Sequence, residues 1–191
     1  MNRAFNGIIE TYSGIEFNIM QPQAELIKLM DIAHALPLIC VFGGQCDQFS
    51  SVGTHALNLS YLLETKGYSY RHQLLALVQS FAQAYTGQIP EYIKSAFPVV
   101  QEIENRVAEQ INIGLRIPEF TADEYKIVER YNIMLQSHEA YMLKKCLTYN
   151  IEPIIFPDIH VNEGSHYDVK SSILSRFHEL NMSVLSDGMY A

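Results

Sequence analysis

Tryptophan is absent from the 191 residues, and cysteine occurs only three times, at Cys40, Cys46 and Cys146. No two of these form a CxxC pair or fall at zinc-ligand spacing, which argues against a zinc-ribbon fold and a disulfide scaffold. Free thiols in a reducing compartment are the expected state. Positive charge is also scarce: 13 Lys and Arg stand against 21 Asp and Glu, for a formal net charge of −8. Affinity for a polyanion comes from clustered Lys and Arg, so a general nucleic-acid binder is excluded, while a local basic pocket for one nucleotide is not. No apolar run approaches the roughly 20 residues of a membrane span. The N-terminus has no basic stretch followed by an apolar one, so no signal peptide and no membrane contact are expected. Together these absences point to a cytoplasmic protein.

What is present is a core. Hydrophobic residues make up 48% of the chain, enough for one domain over 1–191. Ile9, Tyr12, Ile15, Phe17 and Ile19 alternate weakly around Ser13-Gly14, which predicts a small hairpin or flap. Thereafter the apolar period is helical. Leu26, Leu29, Met30, Ala33 and Leu36 predict a helix over 25–36, which Pro37 ends. Phe42-Gly43-Gly44 breaks the chain. Ser51 is placed to cap a helix with the stripe Val52, Ala56, Leu59 and Leu63, stopped by Gly67. A third helix is predicted over 70–85, ending at Gly87, and a fourth over 99–113, with Glu102, Glu104, Arg106 and Glu109 on its wet side and Gly114 as its stop. Thr121 and Glu124 form a capping box that opens a helix to about Leu147. A long connection over 149–166 precedes a last helix from about Asp168, and the tail 181–191 is expected to fray. The fold class is all-α with a small N-terminal hairpin.

Several segments, in order and at consistent spacing over about 12–180, resemble the small HD-domain phosphohydrolases of phages and bacteria, relatives of 5′-deoxynucleotidases and dNTP phosphohydrolases. Phe49-Ser-Ser-Val-Gly-Thr-His55 is similar to that family's FYSVAEH. Ala76 to Tyr85 is similar to ALLHDASEAY, Thr86 to Pro90 with Lys94 to GDIPRPLK, and Ser137-His-Glu-Ala140 falls where the family has TEA. The resemblance implies an HD-domain-like helical bundle. It also implies a divalent metal held by one His, a His-Asp pair and a distal Asp. Such a metal polarises a phosphate and lowers the pKa of a bound water that attacks phosphorus.

This chain keeps His55 and replaces nearly everything else in that set. The His-Asp pair falls on Gln79-Ser80, and the distal Asp falls on Asn132 or, one residue earlier, on Tyr131. The family Glu beside the pair is Gln83, and the Asp before Ile89-Pro90 is Gln88. Neutral amides and a hydroxyl replace carboxylates, so one His with no charge compensation makes a poor divalent-cation site. No metal and no cofactor are expected. Amides and hydroxyls still hydrogen-bond phosphate, ribose and base edges. The expectation is therefore a catalytically inactive relative that binds a nucleotide or cyclic nucleotide, to sequester it as a phage counter-defence sponge or to regulate an active homologue. The resemblance also implies a homo-oligomer. The expected ligand-binding residues are Phe17, Asn18, Met20, Gln21, Phe42, Gly43, Gly44, His55, Gln79, Ser80, Gln83, Lys94 and Asn132. Alternatives are a metal-dependent phosphohydrolase with unusual ligands such as His34 or His138, and a protein-interaction module without a small ligand. His138 and Glu139 otherwise read as a solvated helix face.

Overall fold

The computed structural model describes residues 7–144, 154–161 and 164–188. It is an all-α protein carrying one two-stranded hairpin at its N-terminal end. Strand β1 (Ile8–Glu10) pairs antiparallel with β2 (Glu16–Asn18), in the register Ile9 opposite Phe17. The turn between them places Gly14 at φ 78°, a conformation glycine adopts without a Cβ clash. The fully buried Phe17 anchors the hairpin to the core by packing its ring on Tyr85, with centroids 4.4 Å apart.

Helix α1 (Leu29–Ala35) is shorter than the expected 25–36. Ala24–Leu26 is a separate 3-10 turn, and Lys28 is extended at φ −126°, ψ 126°. The reason lies on a later helix. A Cβ on Gly114 would stand 2.5 Å from the Ala24 carbonyl oxygen, so this turn is pressed against backbone that only glycine leaves uncovered. Gly114 is thus a contact point and not a stop: α6 (Pro98–Leu115) runs through it and ends at Arg116, which is left-handed at φ 54°.

Helix α2 (Val52–Thr65) begins where Ser51 predicts, with its hydroxyl accepting from the Thr54 N–H at 3.0 Å. The expected third helix is broken. α3 (Tyr70–Val78) stops before Gln79, and α4 (Gln83–Thr86) follows after a run of i→i−3 bonds: Phe81 to Val78, Gln83 to Ser80, Ala84 to Phe81. The polar pair Gln79-Ser80 sits at this tightened break. Helix α5 (Glu91–Ala96) then leads into α6.

Helix α7 (Ala122–Lys144) opens on the predicted capping box: Thr121 N–H donates to Glu124 Oε2 at 2.7 Å, and Glu124 N–H donates to Thr121 Oγ1 at 3.2 Å. Arg71 fixes this end of α7 to α3 with a bidentate pair to Glu124, at 2.6 and 3.0 Å. That guanidinium holds the Glu124 carboxyl down to about 2. Helix α8 (His166–Gly188) is capped by Ser165 and extends well beyond Leu180. The expected fraying does not begin at 181, because Val184 is buried one turn after Leu180. Residues 189–191 and the end of the helix expected to reach Leu147 lie outside the described residues.

Helices α1, α2, α3 and α8 enclose the main core around Ile32, Leu36, Ala56, Leu77, Phe81 and Phe177. A second cluster joins α2 and α3 to α7 through Leu59, Leu63, Leu75, Val128 and Leu135. Among the described residues no helix is long and apolar enough to cross a membrane.

Candidate functional site

His55 lies at the start of α2 and is buried. The facing helix α7 supplies its partners. Val128, Asn132, Leu135 and Glu139 follow one another at four-, three- and four-residue steps, so they share a face, and Val128 and Leu135 seat that face in the core. His55 Nδ1 is 2.8 Å from Glu139 Oε2, and His55 Nε2 is 2.9 Å from Asn132 Oδ1. Asn132 is oriented in turn by Glu129. Its Nδ2 donates to the Glu129 carboxylate at 3.1 Å, which turns the amide oxygen toward the ring. Gln136 Nε2 donates to that same oxygen at 3.3 Å.

These contacts decide the protonation of the ring. A carboxylate oxygen and an amide oxygen are both acceptors, so both ring nitrogens must carry hydrogen. Burial pushes the His55 pKa down, but the Glu139 charge and hydrogen bond, the Asn132 bond and the nearby Glu129 charge outweigh it and hold the pKa above the ordinary histidine value. Geometry and the raised pKa both favour the doubly protonated ring. An imidazolium has no lone pair for a metal ion. Glu139, expected on a solvated face, is instead 1% exposed. Its placement was readable from its seven-residue offset from Asn132. His138 is equally buried, with Nε2 against the Ile159 carbonyl and Nδ1 accepting from the Phe156 N–H, both at 3.4 Å. Burial lowers its pKa, so it is a neutral strut for the segment 154–161.

The Phe42-Gly43-Gly44 turn approaches the C-terminal end of α7. All three residues have positive φ, at 54°, 61° and 76°; for Phe42 this is a strained position held by its surroundings. The Lys144 ammonium lies 4.3 Å from the Phe42 ring centroid, the Asp47 N–H donates to the Leu143 carbonyl at 2.9 Å, and the Gly43 N–H donates to Gln88 Oε1 at 3.4 Å. Cys40 and Cys46 beside this turn are free thiols, and burial pushes the Cys46 thiol up.

The remaining expected residues are dispersed. Gln79 is half-buried at the end of α3 and Ser80 is buried, and neither side chain joins the His55 network. Lys94, expected as a phosphate-facing cation, is paired with the buried Glu104, which also accepts from the Thr86 hydroxyl at 3.3 Å. Glu104 was expected on a wet face; Lys94 and Thr86 are what let it be buried. Phe17 is core and so cannot line an open pocket. Asn18 caps its own turn, accepting from the N–H groups of Met20 and Gln21 at 2.9 and 3.3 Å, and those two residues are exposed.

Gln83 faces a separate cavity of about 510 Å³ between the hairpin, α1 and α4. Its walls include Glu10, Tyr12, Asp31 and Tyr85. Asp31 is buried, with Oδ1 accepting from the Ser13 N–H and Oδ2 from the Ser13 hydroxyl, both at 2.8 Å. Burial and the Asp31 charge push the Tyr85 phenol up, so it stays protonated. Tyr12 stacks on His34, with centroids 3.7 Å apart, which leaves His34 a shelf for the hairpin.

Among the described residues no group of three His, Cys, Asp or Glu side chains could hold a metal ion. No family model matches the chain. The chain is similar to the uncharacterized protein YfdR of Escherichia coli (strain K12), with 30% identity over 99 residues, covering 52% of this chain and 53% of that protein. The likeness thus spans about half the length of this curated relative.

Proposed function

We propose that the chain is a non-hydrolytic, HD-domain-like protein of the cytoplasm that binds a nucleotide or cyclic nucleotide. It sequesters that ligand, as a phage counter-defence sponge would, or regulates an active homologue, and it works as a homo-oligomer. The observation that carries this reading is the state of His55. At the position that resembles the family's first metal ligand, both ring nitrogens are engaged, one by Glu139 and one by Asn132. A ring in that state neither ligates a metal nor accepts a proton from water. The sequence resemblance to a nucleotide-processing family supports the ligand class, with neutral Gln79, Ser80, Gln83, Gln88 and Asn132 at the positions where that family carries charged ligands.

Calorimetric titration of the folded protein against dNTPs, nucleoside monophosphates and cyclic di- and trinucleotides tests this. Micromolar or tighter binding with no phosphate release in the presence of Mg, Mn, Co, Fe or Zn is the expected result. Release of phosphate with any of these metals would overturn the non-hydrolytic part, and absence of all binding would overturn the ligand. The closure of the His55 network on itself also favours a second reading, a protein-interaction module without a small ligand. Size-exclusion chromatography with native mass spectrometry would then find a stoichiometric protein partner in place of any nucleotide.

A further inference from the structure

The cavity beneath the hairpin shares no residue with the His55, Asn132 and Glu139 cluster. Its interior is rich in acceptors. Gln83 Oε1 is buried without a partner, and the Tyr85 hydroxyl, on a residue only 6% exposed, has the Lys28 backbone beside it but no group that takes its hydrogen. A buried polar atom without a partner is destabilising unless something from outside completes it. Each Asp31 oxygen takes one bond from Ser13 and keeps a lone pair, and Glu10 adds a second carboxylate. Leu38 and Ile39 provide apolar wall. The rim has the opposite sign: the Lys170 ammonium lies 4.4 Å from the Tyr12 ring centroid. Donor-seeking groups inside and a cation at the rim suit a flat, amino-bearing ring joined to an anion.

We propose that this cavity holds the base of a nucleotide, selects bases that carry an amino group, and leaves the phosphate beside Lys170. This rests on the reading of the chain as a nucleotide binder and names the end of the nucleotide that is recognised. Adenine, guanine and cytosine offer amino hydrogens to Gln83 Oε1 and the carboxylates, next to a ring acceptor that the Tyr85 hydroxyl can serve. Uracil and thymine have no amino group, and their one N3–H lies between two carbonyl oxygens, so a donor that reaches Asp31 or Glu10 brings acceptors with it.

The test is titration of the full chain with AMP, GMP, CMP, UMP and dTMP. At least one amino-bearing nucleotide should bind about tenfold or more tightly than UMP and dTMP. Gln83→Met should abolish that preference, Gln83→Glu should keep it, and Lys170→Ala should weaken the nucleotide but not its nucleoside. Circular dichroism confirms that each variant is folded. Equal affinity for all five, or a preference that survives Gln83→Met, overturns the base site while nucleotide binding stands. Binding of none of these, nor of the dNTPs and cyclic nucleotides, removes both.

Discussion

His55 Nδ1 and Glu139 Oε2 stand 2.8 Å apart across 84 residues of sequence, and this bond ties α2 to α7 beside the His55 to Asn132 bond. Glu139 leaves its second oxygen buried without a partner, so the pair is electrostatically tight but incompletely hydrogen-bonded. Removing one member would leave the other charge buried. Glu139→Ala should therefore destabilise the fold by about 3 kcal/mol, read from the denaturant midpoint. Asn132→Ala should cost less, because it removes a neutral acceptor.

The same pair sets a pH dependence. The folded pKa of His55 is raised, so its stabilising contribution is complete below the ordinary histidine value of about 6.5. It is lost as pH rises through the folded pKa. Histidine NMR titration should give His55 a midpoint above that ordinary value, and Glu139→Gln should move it down. A wild-type midpoint at or below the ordinary value would mean the ring is not the imidazolium described.

Glu124 gives the opposite sign. Its folded pKa is held to about 2 by Arg71, so its contribution is present above the unfolded value of about 4.5 and fades as pH falls toward 2. Acid unfolding of Glu124→Gln should show a shallower loss of stability between those limits than the wild type. An unchanged acid limb would argue against the Arg71 pairing.

Lys94 and Glu104 lend themselves to a double-mutant cycle. Lys94→Met leaves Glu104 buried beside only the Thr86 hydroxyl and should cost about 3 kcal/mol. Lys94→Met with Glu104→Gln should recover part of that loss. If Lys94 serves the fold, as the ion pair indicates, nucleotide affinity in the folded single variant should change less than twofold.

Gly114→Ala pits propensity against sterics. Alanine in a helix gains up to about 1 kcal/mol over glycine, but its Cβ would lie 2.5 Å from the Ala24 carbonyl oxygen. Backbone must move, and overpacking of this kind costs about 1–3 kcal/mol. Thermal melts should therefore show a net loss.

The parts of the fold written in local chemistry were legible. Ser51 and Thr121 with Glu124 announced two helix starts, and the stripe Val52 to Leu63 announced a buried face. The misses share a physical origin in partners far along the chain. The 70–85 pattern read as one helix because its apolar period continues across Gln79-Ser80, while the break is set by i→i−3 turns. Gly114 read as a stop because its real constraint, the Ala24 carbonyl, is 90 residues earlier. Glu104 and Glu139 read as solvent-facing because a charged residue is normally wet, and only Lys94 and His55 make burial tolerable. For the site, the resemblance put His55 in one set with Asn132 or Tyr131, and Glu139 was signalled only by its offset of seven from Asn132, whereas the cavity at Gln83 emerges only when α1, α4 and the hairpin are assembled.

Five of the cations of this acidic chain show two ways of being held. Arg71, Lys94 and Arg176 are cancelled by carboxylates. Lys144 and Lys170 rest instead on the rings of Phe42 and Tyr12. An aromatic face attracts a cation through its quadrupole without neutralising it. On a chain of formal charge −8, these two ammonium groups keep their charge while packed on a ring, so local positive charge stands beside the glycine turn and the hairpin.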